Sequence, residues 1–209
     1  MKTPKILCAC ALAAFVWGCA PQQPAECTAG SENPVIETIM ARRSIRKYKE
    51  TPVEREKLEQ IVRCGINAPN GLNRQPWAVR VVDDAAYIDG ITALFKAAQP
   101  AQAEDPSFRN MFRNAPAVIF IASPTDGSGQ VDCGLLGGNI VLAAQSLGLG
   151  TCCLGGPVRF MTSAPEAAPY VERLDLPEGY ALLYAIGVGY PDESPEAKPR
   201  DEGKVKFID

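Results

Sequence analysis

Three short stretches of this 209-residue chain carry side chains suited to chemistry. Arg42-Arg43-Ser44-Ile45-Arg46-Lys47 sets four positive charges and a hydroxyl together. Guanidinium forks and a serine hydroxyl match a phosphate, which accepts several charge-assisted hydrogen bonds at once. Cations at the end of a helix also complement its dipole, so this cluster has a purely structural explanation as well. A second basic set, Lys198-Pro199-Arg200, lies far along the chain. Two such sets in a chain of net charge -3 point to one anion held from both sides. The third stretch, Ala68-Pro69-Asn70-Gly71-Leu72-Asn73-Arg74-Gln75-Pro76-Trp77, reads as an irregular loop feeding a strand. Gly71 lets backbone approach a ligand, Asn70, Asn73 and Gln75 offer amides, and Trp77 offers an apolar face. That set suits a flat heterocycle with a polar edge; a surface turn closing the preceding helix is the alternative.

The elements that must position these stretches follow from periodicity. Asn33-Pro34 reads as the start of a helix, with Val35, Ile36, Ile39 and Met40 at helical spacing up to Arg42. A second helix is expected over 53–67 with Leu58, Ile61, Val62 and Ile66 on one stripe. The loop then leads into a strand over 77–82, a helix over 85–98, a polar break over 99–105 and a short helix over 107–114. A strand over 117–122 precedes a helix over 131–147 whose apolar residues fall on all sides, so it belongs in the interior or against a second subunit. Its Gly134, Gly137 and Gly138 each cost roughly 1 kcal/mol of helix propensity, which close backbone approach to a neighbour could offset. A short strand over 151–154, a tight turn at Gly155-Gly156-Pro157, a mostly helical region over 157–174 and a long apolar strand over 180–188 follow. The tail ends in strand-like Val205-Lys206-Phe207-Ile208 with no partner nearby in sequence. Strands separated by helices argue for an α+β or α/β sandwich in which helices cover a sheet.

At 209 residues, 46% of them apolar, one sizeable core is expected. The acidic balance offers no basic stripe for nucleic acid. With no histidine and no Cys-x-x-Cys, a structural zinc or a histidine-based triad lacks its ligands. Residues 1–18 read as a secretory signal, because Lys2 and Lys5 precede an apolar run too short to span a bilayer. Val16-Trp17-Gly18-Cys19 is similar to the bacterial lipobox, which makes Cys19 the lipidation candidate, 19–33 a flexible tether, and the cell envelope the expected location. Membrane attachment would then rest on the lipid anchor alone. Of eight cysteines, Cys27, Cys64, Cys133, Cys152 and Cys153 remain, an odd number without a disulfide framework. Cys152 and Cys153 are read as buried apolar filler in a strand, where neighbours face opposite ways and do not readily bond.

The three chemistry-bearing stretches, in this order, resemble the FMN-dependent nitroreductase family, as does Ala143-Ala144-Gln145-Ser146-Leu147-Gly148-Leu149-Gly150. The resemblance covers 34–209, which it makes a single FMN-binding domain. It implies an α+β three-layer sandwich with a mixed central sheet flanked by helices, intertwined as a homodimer with the C-terminal strand crossing to the partner. It also implies that Arg42, Ser44 and Arg200 grip the FMN phosphate, with Arg43 and Lys198 as helpers. Arg46 falls near the flavin pyrimidine edge. Pro69, Asn70, Gly71 and Asn73 reach the partner's flavin, and Gly155 and Gly156 present backbone N-H to flavin N5. The implied activity is ping-pong reduction of nitroaromatics, quinones or similar conjugated electrophiles, with NAD(P)H as donor. A binder without turnover, or a dehydrogenase or reductive dehalogenase of the same fold, are the alternatives. No catalytic acid or base is demanded, because the flavin carries the electrons.

Overall fold

The computed structural model describes residues 33–208; the expected signal sequence, Cys19 and Cys27 lie outside them. Residues from Pro34 onward form one compact unit. Its elements in chain order are α1 (Pro34–Ala41), α2 (Arg55–Ile66), β1 (Ala78–Val82), α3 (Ala85–Ala98), α4 (Pro100–Ala103), β2 (Ala117–Pro124), α5 (Gln130–Ser146), β3 (Gly150–Leu154), α6 (Gly156–Ser163), α7 (Ala168–Glu172) and β4 (Tyr180–Gly189).

The strands form a four-stranded sheet in the order β1-β2-β4-β3, with every neighbouring pair antiparallel. Among the described residues parallel pairing is confined to one isolated bridge, Ser44 with Thr151, so the mixed sheet implied by the resemblance reduces there to that single bridge. A strand pattern in sequence specifies which face a residue takes but not the direction of its neighbour.

Because side chains alternate along a strand, β2 feeds two cores. Val118, Phe120 and Ala122 pack with Tyr87, Ile88 and Ile91 of α3 and Val158 and Met161 of α6. Ile119 and Ile121 pack with Leu58 and Ile61 of α2 and Leu136 and Ile140 of α5. The result is the expected three-layer sandwich, α3 and α6 on one face of the sheet and α2 and α5 on the other. In α5, Gly137 faces the sheet: a Cβ there would stand 1.9 Å from the Tyr184 hydroxyl, which donates to the Cys133 carbonyl at 2.7 Å. Gly134 and Gly138 lie on the other, exposed side of α5 beside Val131 and Leu135.

Three local expectations change. Residues 107–114 form turns, not a helix, because asparagine side chains take the backbone bonds a helix would use. Asn114 Oδ1 accepts from the N-H groups of Arg109 and Asn110, and Asn110 Oδ1 accepts from those of Phe112 and Asn114. Gly155-Gly156-Pro157 opens α6 directly, with proline in the first turn where its missing N-H costs nothing. Val205, Phe207 and Ile208 are in no strand among the described residues and are 67%, 86% and 81% exposed.

Candidate flavin-type site

The first basic cluster is held beside the start of β3. Ile45 N-H donates to the Thr151 carbonyl at 2.9 Å, Lys49 N-H to the Tyr190 carbonyl at 2.9 Å, and Asp192 N-H to the Lys47 carbonyl at 3.0 Å. Ile45 and Tyr48 turn inward and are buried with Ala115. Ile45 sits so close to Gly150 that a Cβ there would be 2.8 Å from it, which is why the strand starts on glycine. The Tyr48 hydroxyl donates to the Ile45 carbonyl at 2.6 Å, and burial pushes its pKa far above the ordinary phenol value. The Glu193 carboxylate completes the brace by accepting from the N-H groups of Arg46 and Lys47, at 2.5 and 3.2 Å.

Ile45 is anchored between Ser44 and Arg46, so its neighbours are left to face outward. Arg46 lines a cavity of about 1640 Å³ that also reaches Cys152, Cys153, Leu154, Gly155 and Gly156 at the end of β3 and the start of α6. A small-molecule pocket is usually about 300–1,000 Å³, so the space is ample for a cofactor and a second ligand together. Beyond the adjoining residues and the helix's own backbone, no heavy atom lies within 4 Å of a Cβ built on Gly155 or Gly156. The wall from α3, the 99–114 segment and α6 is aromatic: Phe95 stacks on Phe108 at 5.8 Å and meets Phe160 edge-on at 5.2 Å. Burial pushes the Cys152 thiol up, with Arg46, Arg113 and Arg42 acting in the opposite direction. Cys152 is buried as expected, whereas Cys153 is exposed, since successive strand residues face opposite ways. The buried-filler reading therefore holds for one of the pair.

The other expected site residues lie outside this cavity. Arg42 and Ser44 are half-buried in the same segment as Arg46. Arg43 spends its guanidinium on the carbonyls of Met40 and Arg42 at 2.5 and 2.8 Å, closing the end of α1. That is the helix-end role open to any cation of the cluster. The amide-rich loop is built as a rigid tip. Asn70 Oδ1 accepts from Gln75 N-H at 2.9 Å, Gly71 N-H points to Asp132 of α5 at 3.5 Å, and Leu72, Asn73 and Gln75 all have φ near +50°. Pro69, Gly71 and Asn73 are exposed, Asn70 is half-buried, and Leu72 is 85% exposed. Lys198 and Arg200 are exposed in the tail, where Arg200 donates to the Lys198 carbonyl at 3.2 Å. One protomer thus joins Arg46 with Gly155 and Gly156 in a single cavity, whose lining includes neither Arg42 nor Arg200.

Sequence reasoning missed Arg109, Arg113 and Arg159, which also line the cavity. Arg109 is paired with Glu50. The available signal was the Asn110 and Asn114 pair flanking Arg113, which marks a structured turn and not a helix.

Residues 39–190 match the Nitroreductase family. The chain is 33% identical to an NADPH-flavin oxidoreductase of Vibrio harveyi over 174 residues, which is 80% of this chain and 70% of that one. It is 32% identical to an FMN reductase [NAD(P)H] of Bacillus subtilis over 181 residues, 80% of this chain and 70% of the relative. Among solved structures, a nitroreductase with bound FMN from Desulfitobacterium hafniense superposes with a TM-score of 0.75 at 28% identity, covering 85% of this chain and 99% of that one. A match spanning the sheet, both helical layers and the cavity-forming segments establishes that the chain belongs to the nitroreductase family.

Proposed function

We propose that the protein is an FMN-dependent oxidoreductase that takes electrons from NAD(P)H and reduces conjugated electrophiles such as nitroaromatics and quinones. The observation that carries this reading is the meeting of Arg46 with bare Gly155-Gly156 backbone in one large cavity, within a nitroreductase fold. The residues present fit the cofactor: glycines at the mouth of α6 let a flat ring come up to N-H groups, and aromatic side chains line the far wall. Bound FMN would supply the two-electron chemistry, accepting hydride from the donor and passing the electrons to the acceptor. The chain's own part is to bind and orient. Arg42 and Ser44 take the phosphate, joined by Arg200 and Lys198 from the tail, and Arg46 sets a positive charge by the pyrimidine edge. Donor and acceptor use one space in turn, which gives ping-pong kinetics.

The second protomer completes the site in this reading. Met40 is 69%, Leu72 85%, Val131 77% and Leu135 44% exposed, large apolar side chains left in water by a single protomer. α1 and α5 contribute three of these residues and the amide-rich loop the fourth. A homodimer across α5 buries them, brings the 69–73 loop to the partner's flavin, and gives the exposed 205–208 tail a second chain to lie on. Leu135→Asp puts an unpaired charge into that contact and is expected to weaken dimerisation at least tenfold, with loss of FMN in parallel, read by sedimentation and absorbance. A dimer of unchanged strength would remove this interface. For the N-terminal segment we propose lipidation at Cys19 and a place in the bacterial cell envelope. Cys19→Ser is expected to release the protein from membranes; continued membrane association counts against the anchor.

Steady-state reduction of a nitroaromatic by NAD(P)H tests the activity. The expected result is saturable turnover with parallel double-reciprocal lines; a rate no greater than that of free FMN leaves a flavin-binding protein without turnover.

A further inference from the structure

The cavity carries more positive charge than the flavin reading uses. Its lining includes Arg46, Lys47, Lys49, Arg109, Arg113 and Arg159 against four acidic residues, a local excess of two positive charges in a chain of net charge -3. Arg109 is paired with Glu50, and Glu193 is engaged by the backbone of Arg46 and Lys47. Among the described residues no carboxylate forms an ion pair with Arg113 or Arg159.

Both arginines stand where local structure disfavours them. Arg113 has φ +61° and Asn114 φ +65°; asparagine visits this left-handed region readily, whereas an arginine there is uncommon and needs its surroundings to hold it. The enforcement is visible: Asn110 and Asn114 bind the N-H groups of 109, 110, 112 and 114, while Asn110 Nδ2 donates to the Ala115 carbonyl at 3.1 Å and Asn114 Nδ2 to the Ser107 carbonyl at 2.7 Å. Arg159 lies in the first turn of α6, where its N-H bonds the Gly155 carbonyl, and a cation there opposes the helix dipole. Two independent departures from local preference converge on one cavity, and such departures concentrate where function requires them.

We infer that Arg113 and Arg159 are an anion-recognition pair that selects the reactant entering beside the cofactor, by a phosphate or carboxylate group it carries. The assignment rests on the flavin reading and adds to it a class of reactant. Guanidinium forks bind either group through paired N-H donors. An anionic donor and an anionic acceptor are the two possible sources, and both meet the same arginines in turn.

The test uses the FMN-loaded full chain and two matched pairs, NADPH against NADH and 4-nitrobenzoate against 4-nitrobenzyl alcohol. The wild type is expected to favour the more negatively charged member of at least one pair in kcat/KM. Arg113→Gly and Arg159→Ala should each lower that preference about tenfold, mainly through KM, and Arg113→Lys should restore part of it. Preference in the first pair identifies the donor phosphate as the ligand, and in the second the acceptor carboxylate. Arg113→Gly should also raise the melting temperature, since glycine relieves the left-handed strain; a merely structural arginine would show no such split between stability and selectivity. An anionic preference unchanged by the variants, or absent from the flavin-loaded wild type in both pairs, overturns the arginine assignment and leaves the flavin reading standing. A wild type that takes up no FMN overturns both.

Discussion

Alanine at both Arg42 and Arg200 is expected to weaken FMN binding by at least about a hundredfold. A hydrogen bond to a charged group contributes about 1.5–3 kcal/mol, and two lost together exceed the roughly 2.8 kcal/mol that a hundredfold change requires. The two single variants should differ in how they depend on assembly. Arg42 is half-buried at the end of α1, fixed by the same segment that seats Ile45 against Gly150. Arg200 is exposed in the tail; in the proposed dimer it would reach the phosphate with the tail laid on the second chain, so its contribution should fall as the dimer dissociates. Titration of the apoprotein with FMN, followed by flavin fluorescence at several protein concentrations, measures both effects. Affinity unchanged in the double variant refutes the phosphate assignment.

Phe120→Ala should destabilise the fold by about 3–5 kcal/mol, enough to unfold many domains at ordinary temperature. Phe120 is fully buried on β2, between β1 and β4, with edge-on contacts to Tyr87 at 6.4 Å and Phe112 at 5.7 Å. It joins α3 and the 107–114 turns to the sheet, so its removal loosens the wall of the cavity as well as the core. Urea denaturation reads the loss. A change below about 1 kcal/mol would show that this face of the sheet repacks freely, contrary to the close packing of buried cores.

Where periodicity was strong, sequence and structure agree closely. The helix expected over 85–98 is α3 with the same bounds, because Asp84 caps it by accepting from Ala86 N-H and Gln99 leaves helical geometry at its end. The apolar run at 117–122 is the fully buried β2, extended to Pro124. The 107–114 segment failed for the opposite reason, since two asparagines outcompeted the helix and no hydrophobic stripe resisted them. That failure hid Arg113, whose significance lies in a backbone angle that composition does not reveal. The basic clusters and the amide loop were legible as chemistry because several donors fall close together. Their joining was legible only through the family resemblance, which sets Arg46 and Gly155-Gly156 around one flavin, and not from local pattern. Arg46 and Gly155 are brought to one cavity by the bridge of Ser44 to Thr151, a pairing across more than half the chain. The sheet direction was equally hidden, since alternation along a strand is the same for either direction of its neighbour.

The proposed FMN site consists of one protomer's Arg46 and Gly155-Gly156, closed by a second protomer. Its most direct measurement is the flavin content of the purified dimer after incubation with FMN and removal of free cofactor. The expected result is a yellow protein with about one FMN per protomer, released on denaturation. A colourless dimer that takes up no FMN contradicts it.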